Sequence, residues 1–144
     1  MRHARDLRVD EVMTRDPIVV QAGANLADAV EAMERHRVRH LPVMSGSRLV
    51  GLLSERNVRD ALPSVLTLSD PAARRRSLAA TRVERVWIEH PRVLDPSATV
   101  LHTIAVMREL RAGSIPILHH DRLVGIVTAG DLLAALESLL DAAP

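Results

Sequence analysis

The chain repeats itself without a gap. Shifting the sequence by 74 residues places residues 12–57 on residues 86–131, and eleven of the 46 aligned pairs are identical. Roughly three identities would be expected by chance at average composition. Many other pairs exchange one aliphatic residue for another, as Leu41 does with Ile115, and such exchanges preserve packing. Since one copy is too short to bury a core alone, we expect two copies that fold alike and pack face to face.

The same order of elements is predicted in both copies. In the first, residues 18–20 form a β-branched strand and residues 26–33 carry a helical apolar stripe. Apolar runs at 41–44 and 49–53 flank a Ser-Gly-Ser turn and predict a hairpin, after which Ser54 can cap a helix that runs to about Leu62. The second copy has a strand at Val93, a helix over 98–111, a hairpin of 115–118 with 123–127, and a helix after Thr128. The predicted fold class is therefore α/β (α+β), of order strand-helix-strand-strand-helix, twice.

Composition removes several functional classes. The 144 residues include no cysteine, which excludes disulfides, thiolate metal sites and thiol nucleophiles. With no Phe or Tyr, one Trp and a net charge of +1, the chain has neither the aromatic platforms nor the basic balance typical of nucleic-acid-binding proteins. The charged N-terminus and the lack of a long apolar run predict a cytoplasmic protein. No Gly-rich phosphate loop, HExxH or Gly-x-Ser-x-Gly motif supports an enzyme.

Short motifs that occur in the same order in both copies carry a resemblance to a known family. The first copy contains VMTRDP at 12–17, RHLPV at 39–43 and LVGLLS at 49–54, and the second contains GSIPI at 113–117 and LVGIVTAGD at 123–131. With these motifs the chain resembles a tandem pair of CBS domains, also called a Bateman module, over about residues 7–140. It looks like the stand-alone bacterial CBS-pair proteins of the acetoin utilisation type.

The resemblance implies an organisation and a function. Residues 7–62 and 83–141 would be the two CBS motifs, related by a pseudo-twofold axis, and residues 63–82 a linker that contains one helix. The module would be a regulatory homodimer without catalysis or a metal ion. It would bind an adenosine-containing ligand, such as AMP, ADP, ATP, NAD or S-adenosylmethionine, between the motifs and act on a separate, unknown protein partner.

The helix start Thr128-x-x-Asp131 is the first candidate for ligand chemistry. A carboxylate at this place can accept hydrogen bonds from both hydroxyls of a ribose, and the helix N-terminus stabilises its charge. The same two residues also fit a capping box, which needs no ligand, and both roles can coexist.

The resemblance implies which residues face Thr128 and Asp131. They are Thr14, Arg15, Asp16, Pro17, Ile18, Val38, Arg39 and His40. Ile18 and Val38 would hold the adenine, while the planar Arg39 guanidinium and His40 would hold phosphate. An exposed strand edge is the plain alternative for Arg39 and His40.

A mirror-image cleft would combine Ser54 and Asn57 with Ile88, Glu89, His90, Pro91, Ala112, Gly113 and Ser114. Here the sequence departs from the family pattern, because Asn57 replaces the ribose-binding aspartate and no arginine matches Arg39. Glu89 would repel phosphate if it pointed inward. We therefore expect an asymmetric module in which the second site is weaker or empty.

Two alternatives remain open at the level of sequence. The helix after Thr128 and the helix over 98–111 are more apolar than one buried face requires, which favours a homodimer and also fits a ligand-free structural or partner-binding module. The run Arg74-Arg75-Arg76 in the linker could contact nucleic acid or an acidic patch of a partner, but a solvated linker is the plainer interpretation.

Overall fold

The computed structural model describes residues 3–61 and 70–143. In chain order the elements of this part are β1 Thr14–Arg15, β2 Val20–Gln21, α1 Leu26–His36, β3 His40–Ser45, β4 Arg48–Ser54, α2 Glu55–Ala61, α3 Pro71–Ala79, β5 Ile88–Glu89, α4 Val100–Leu110, β6 Ser114–His119, β7 Arg122–Thr128 and α5 Ala129–Ala142. Short 3-10 turns at Ala4–Asp6, Val9–Glu11 and Val83–Arg85 complete them. None of the helices in this described part is long and apolar enough to cross a membrane.

The chain forms two compact units, and each contains a segment from outside its own repeat. The first-repeat unit is Ile18–Pro91, and the second-repeat unit combines Met1–Pro17 with Arg92–Pro144. The reason is that β5, at the start of the second repeat, pairs with β4 of the first. In the same way β1, at the start of the first repeat, pairs with β7 of the second.

The first-repeat unit is a four-stranded sheet of order β2-β3-β4-β5 with helices packed on it. Strand β2 runs parallel to β3, whereas β4 is antiparallel to both β3 and β5. The N-cap of helix α1 is Asn25, whose side chain accepts a hydrogen bond from the Asp28 N–H at 2.9 Å, and its C-cap is Arg37, in the left-handed region with φ 54°. The helix and the hairpin bury a core around Leu26, Leu41 and Leu53.

The second-repeat unit repeats this plan with a three-stranded sheet of order β1-β7-β6. The N-cap of helix α4 is Thr99, whose hydroxyl accepts from the His102 N–H at 3.0 Å, and its C-cap is Arg111, with φ 53°. Its core contains the fully buried Val9, Ile117 and Val127. The sequence prediction of two α+β motifs, each with a hairpin followed by a capped helix, is thus confirmed.

Some predicted and observed strands differ. The strand predicted at 18–20 is reduced to Val20–Gln21, and the strand at Val93 is reduced to one parallel bridge between Leu94 and Ile117. Both ladders are short because the chain turns away toward the start of the next helix within a few residues. The end of α2 was predicted at Leu62, which lies outside the described residues.

Close packing explains why Gly51 and Gly125 are identical in the two repeats. A Cβ at Gly51 would overlap the indole ring of Trp87, and a Cβ at Gly125 would lie 2.5 Å from the Met13 sulfur and 2.9 Å from the Thr14 carbonyl oxygen. Trp87 and Met13 are themselves 74 residues apart. Each glycine therefore lets the segment that arrives from outside the repeat lie flat against the sheet.

Candidate functional site

The second-repeat unit brings Thr14 beside the start of helix α5. Strand β1 pairs with β7 in the register Thr14 to Ile126 and Arg15 to Gly125, so Thr14 lies next to the end of β7, where α5 begins. The Thr14 hydroxyl donates to the Asp131 carboxylate at 3.1 Å from Oδ1 and 3.3 Å from Oδ2. Residues 117 positions apart in sequence thus share one polar site.

Asp131 also closes the predicted capping box. Its Oδ2 accepts from the Thr128 N–H at 3.0 Å, and its own N–H donates to the Thr128 hydroxyl at 3.1 Å. The carboxylate is half-buried, and the helix N-terminus stabilises its negative charge. Because Oδ1 is hydrogen-bonded only to the exposed Thr14 hydroxyl among the described residues, the side chain keeps an acceptor that is not used by its own helix.

The residues that follow Thr14 form an exposed turn. Arg15 and Asp16 are both exposed, and the Arg15 guanidinium donates to the Asp10 carbonyl oxygen at 3.1 Å. Asp16 has φ 46°, a left-handed conformation that only aspartate, asparagine and glycine adopt at low cost. The half-buried Pro17 follows it and ends the second-repeat unit's first segment.

Ile18, Val38, Arg39 and His40 belong to the first-repeat unit. Ile18 and Val38 are half-buried and pack against its core, while the exposed Arg39 places its Nε 4.0 Å from Glu55 Oε2. Burial lowers the pKa of His40 below its usual value, the Arg39 charge lowers it further, and the Glu55 charge raises it. His40 is therefore a neutral imidazole near pH 7, able to donate from one nitrogen and accept at the other.

The residues of the predicted second site are also divided between the units. The first-repeat unit holds Ser54, Asn57, Ile88, Glu89, His90 and Pro91, and the second-repeat unit holds Ala112, Gly113 and Ser114. Within the first-repeat unit, the register pairs Ile88 with Leu52 and Glu89 with Gly51. Glu89 is exposed, and its carboxylate lies 3.5 Å from the His90 imidazole. The backbone of His90 is in the left-handed region, with φ 51°. Ser114 is buried, and its hydroxyl has no hydrogen-bond partner among the described residues.

Asn57 and Asp131 occupy equivalent positions at the start of a helix, but their side-chain oxygens have different hydrogen-bond partners. The Asn57 Oδ1 accepts from the Ser54 hydroxyl at 2.7 Å and from the Ser54 N–H at 3.2 Å, so the acceptor is turned onto its own helix cap. Ile88 stands where Thr14 stands in the other unit and has no hydroxyl to contribute. The first-repeat unit therefore lacks both the charge and the cross-strand partner that Asp131 has.

Two features of the site were not predicted from the sequence. The pairing of β1 with β7 has no alternating pattern to signal it, because the strand is two exposed residues long. Glu55 was also missed, although it lies within 4.0 Å of Arg39 and ion-pairs with Arg59 at 2.6 Å. Its spacing of four residues from Arg59 on a helix after Ser54 was the available signal.

Comparison with known proteins supports the resemblance to CBS domains. The model of the CBS domain family matches residues 9–64 and 88–138. A crystal structure assigned to acetoin utilisation in Vibrio cholerae has a TM-score of 0.75 at 26% identity and covers 94% of this chain and 93% of its own. The CBS domain pair of the protein MJ0100, in complex with 5′-methylthioadenosine and S-adenosyl-L-methionine, has a TM-score of 0.76 at 19% identity and covers 92% and 97%.

A third solved structure, of CBSX2 in complex with AMP, has a TM-score of 0.75 at 21% identity and covers 93% of this chain and 98% of its own. At such identities the two ligand complexes establish the fold alone. The match of the family model extends over both repeats and over most of the described residues. The chain belongs to the CBS-domain family.

Proposed function

We propose that this protein is a regulatory module that binds an adenosine-containing ligand and is not an enzyme. The observation that carries the proposal is the Asp131 carboxylate. It is fixed by the cap at Oδ2 and keeps Oδ1 toward an exposed threonine hydroxyl. A ribose diol could donate to such a carboxylate, with the Thr14 hydroxyl rotating to accept from the ligand.

Two groups of the second-repeat unit support this chemistry. Thr128 adds a second hydroxyl at the same helix start, and the Arg15 guanidinium is exposed beside Thr14. The family resemblance adds Arg39 and His40 as donors for phosphate and Ile18 and Val38 as apolar surface for adenine, and these four residues belong to the first-repeat unit. Solved CBS-domain structures of the same fold were obtained with AMP, S-adenosyl-L-methionine and 5′-methylthioadenosine. The ligand class of the proposal rests on that likeness.

The second site is proposed to be weaker. Asn57 is neutral and its amide oxygen is occupied by Ser54, while Glu89 adds a negative charge on β5. The ribose would therefore find no free charged acceptor there, and the Glu89 charge would act against a phosphate. We expect one ligand per chain at concentrations that saturate the first site.

The test is a pair of equivalent substitutions. Asp131→Ala and Asn57→Ala each remove a helix-cap acceptor, so each should cost about 1 kcal/mol of unfolding free energy. Only Asp131→Ala should abolish binding, measured by calorimetric titration with AMP, ADP, ATP, NAD and S-adenosylmethionine. Saturating ligand at 100 times its Kd should raise the wild-type stability by roughly 2.7 kcal/mol. Equal affinity in wild type and Asp131→Ala would refute the role of Asp131.

A second function, a dimerisation or partner-binding module, is favoured by a separate observation. Leucines of α4 and α5 are exposed in the second-repeat unit: Leu101, Leu110, Leu133, Leu136, Leu139 and Leu140. Helix α5 contains no buried residue at all. We propose that a second copy of the chain covers this leucine face, and that ligand binding acts by favouring one arrangement of the dimer. If no ligand in the panel binds, the dimerisation function alone remains.

A further inference from the structure

A groove of about 790 Å³ opens in the first-repeat unit between α1, α2 and α3. Its apolar lining is formed by Val30, Met33, Val38 and Val58, of which Met33 and Val58 are buried. Pockets that hold small organic ligands have volumes of roughly 300–1,000 Å³ and are mostly apolar with a few polar groups. The groove therefore has the size and the lining of a small-ligand site.

The charged rim of this groove is not balanced. Four arginines and two glutamates line it: Arg37, Arg39, Arg59, Arg74, Glu34 and Glu55. Glu55 is already engaged by Arg59 at 2.6 Å and by Arg39 at 4.0 Å. Within residues 3–61 and 70–143, the side chains of Arg37 and Arg74 have no ion pair and no hydrogen bond. Two positive charges thus remain uncompensated beside an apolar surface.

Arg74 is held at the rim by its helix. Asp70 caps α3 by accepting from the Ala72 N–H at 3.0 Å, and Leu78 of the same helix is buried in the core. The Arg74 Nε is buried and has no hydrogen-bond partner among the described residues. A guanidinium that is partly removed from water and has no protein acceptor is unfavourable, and a bound anion would compensate its charge.

We propose that this groove binds a small amphipathic anion, in which an apolar chain or ring lies on Val30, Met33 and Val58 and a carboxylate or phosphate head lies between Arg37 and Arg74. The planar guanidinium groups of both arginines suit either head. Glu34, on the same rim, opposes anion binding and limits the affinity. The groove shares Val38 and Arg39 with the residues proposed for the adenosine site. The contacts proposed here are made by other residues, and they use neither Asp131 nor Thr14.

The experiment is an NMR titration of the full chain with decanoate, decyl phosphate and the neutral decanol. We expect saturable amide shifts over residues 30–39, 55–59 and 71–78 with at least one of the two anions, and binding at least about fivefold weaker for decanol. Arg74→Gln and Arg37→Gln should each weaken anion binding by about five- to tenfold, and Glu34→Gln should strengthen it. Arg76→Gln is the matched control, since Arg76 lies on the same helix outside the groove and should leave the affinity unchanged.

Three results would overturn the proposal. The first is an equal affinity for decanol and both anions, which would show that the charges have no role. The second is an unchanged affinity in both Arg74→Gln and Arg37→Gln. The third is a set of shifts confined to residues 101–110 and 132–140, which would place the probe on the leucine face. Retained AMP binding by Arg74→Gln would distinguish failure of this site from failure of the adenosine site.

Discussion

At the scale of single residues, the candidate site depends on the position at which one helix start has Asp131 and the other has Asn57. Thr128 with Asp131 and Ser54 with Asn57 make the same cap, so the cap could be predicted from either tetrapeptide. The placement of Thr14 beside Asp131 was implied by the family resemblance alone, because local spacing cannot show that strand β1 pairs with a distant β7. Local sequence spacing therefore identifies Asp131. The position of Thr14, whose hydroxyl donates to the Asp131 Oδ1, depends on the tertiary structure.

His40 gives a residue-scale prediction about pH. Burial is the main cause that lowers its pKa, so the unfolded chain binds a proton more readily than the folded protein does. Its contribution to stability is full above the unfolded pKa of about 6.5 and is lost as the pH falls through the lower folded value. We expect His40→Gln to reduce the loss of stability between pH 7 and pH 5, measured by urea unfolding at each pH.

The two charged neighbours of His40 provide matched variants for this measurement. Arg39 and Glu55 face His40 with opposite effects on its pKa, so Arg39→Gln should reduce the loss and Glu55→Gln should increase it. The same acid-induced loss in His40→Gln and wild type would contradict the assignment.

At the scale of elements, the sequence repeat predicted the helices and hairpins well. It predicted poorly the short strands β1 and β5, each of which pairs with a strand of the other repeat. The hairpins have long apolar runs with a clear turn, and they formed over 40–54 and 114–128. Strands β1 and β5 are two residues each, exposed, and held by packing of Met13 and Trp87 on the glycines of β7 and β4. Such strands are defined by the surface they lie on and not by their own pattern.

Gly51→Ala tests this packing. The new Cβ would overlap the Trp87 ring, which must move, and such overpacking costs typically about 1–3 kcal/mol. Trp87 is the only tryptophan, so its fluorescence reports the displacement directly, and we expect a red-shifted emission with a lower unfolding midpoint. Gly130→Ala is the control: its nearest atom would be 3.5 Å away, and alanine in helix α5 should be neutral or stabilising by up to about 1 kcal/mol. Unaltered emission and stability in Gly51→Ala would mean that β5 is not held by this contact.

At the scale of the whole molecule, the two repeats differ most in their outer helix surfaces. Leu133 of α5 is exposed, with two-thirds of its surface accessible to solvent. The equivalent residue of the first repeat is Arg59 of α2, which ion-pairs with Glu55. Leu110 is likewise matched by His36, and Leu101 by Ala27. A single folded chain thus leaves one apolar surface in the second-repeat unit and one charged surface in the first. An exposed apolar patch of this kind indicates an interface.

Leu133→Arg therefore tests the dimer by giving the second repeat the residue that the first repeat already has. Placing two arginines in a self-associating apolar surface should raise the dimer dissociation constant by at least about tenfold, because each charge would lose water without gaining a partner. Light scattering after size exclusion should give twice the chain mass for wild type at micromolar concentration and the mass of one chain for the variant. Arg76→Gln, an exposed change on α3, should remain dimeric. A wild type that is monomeric throughout this range, or a variant that stays dimeric, would mean that the leucine face serves another partner, and AMP affinity measured on the same samples would show whether ligand binding requires association.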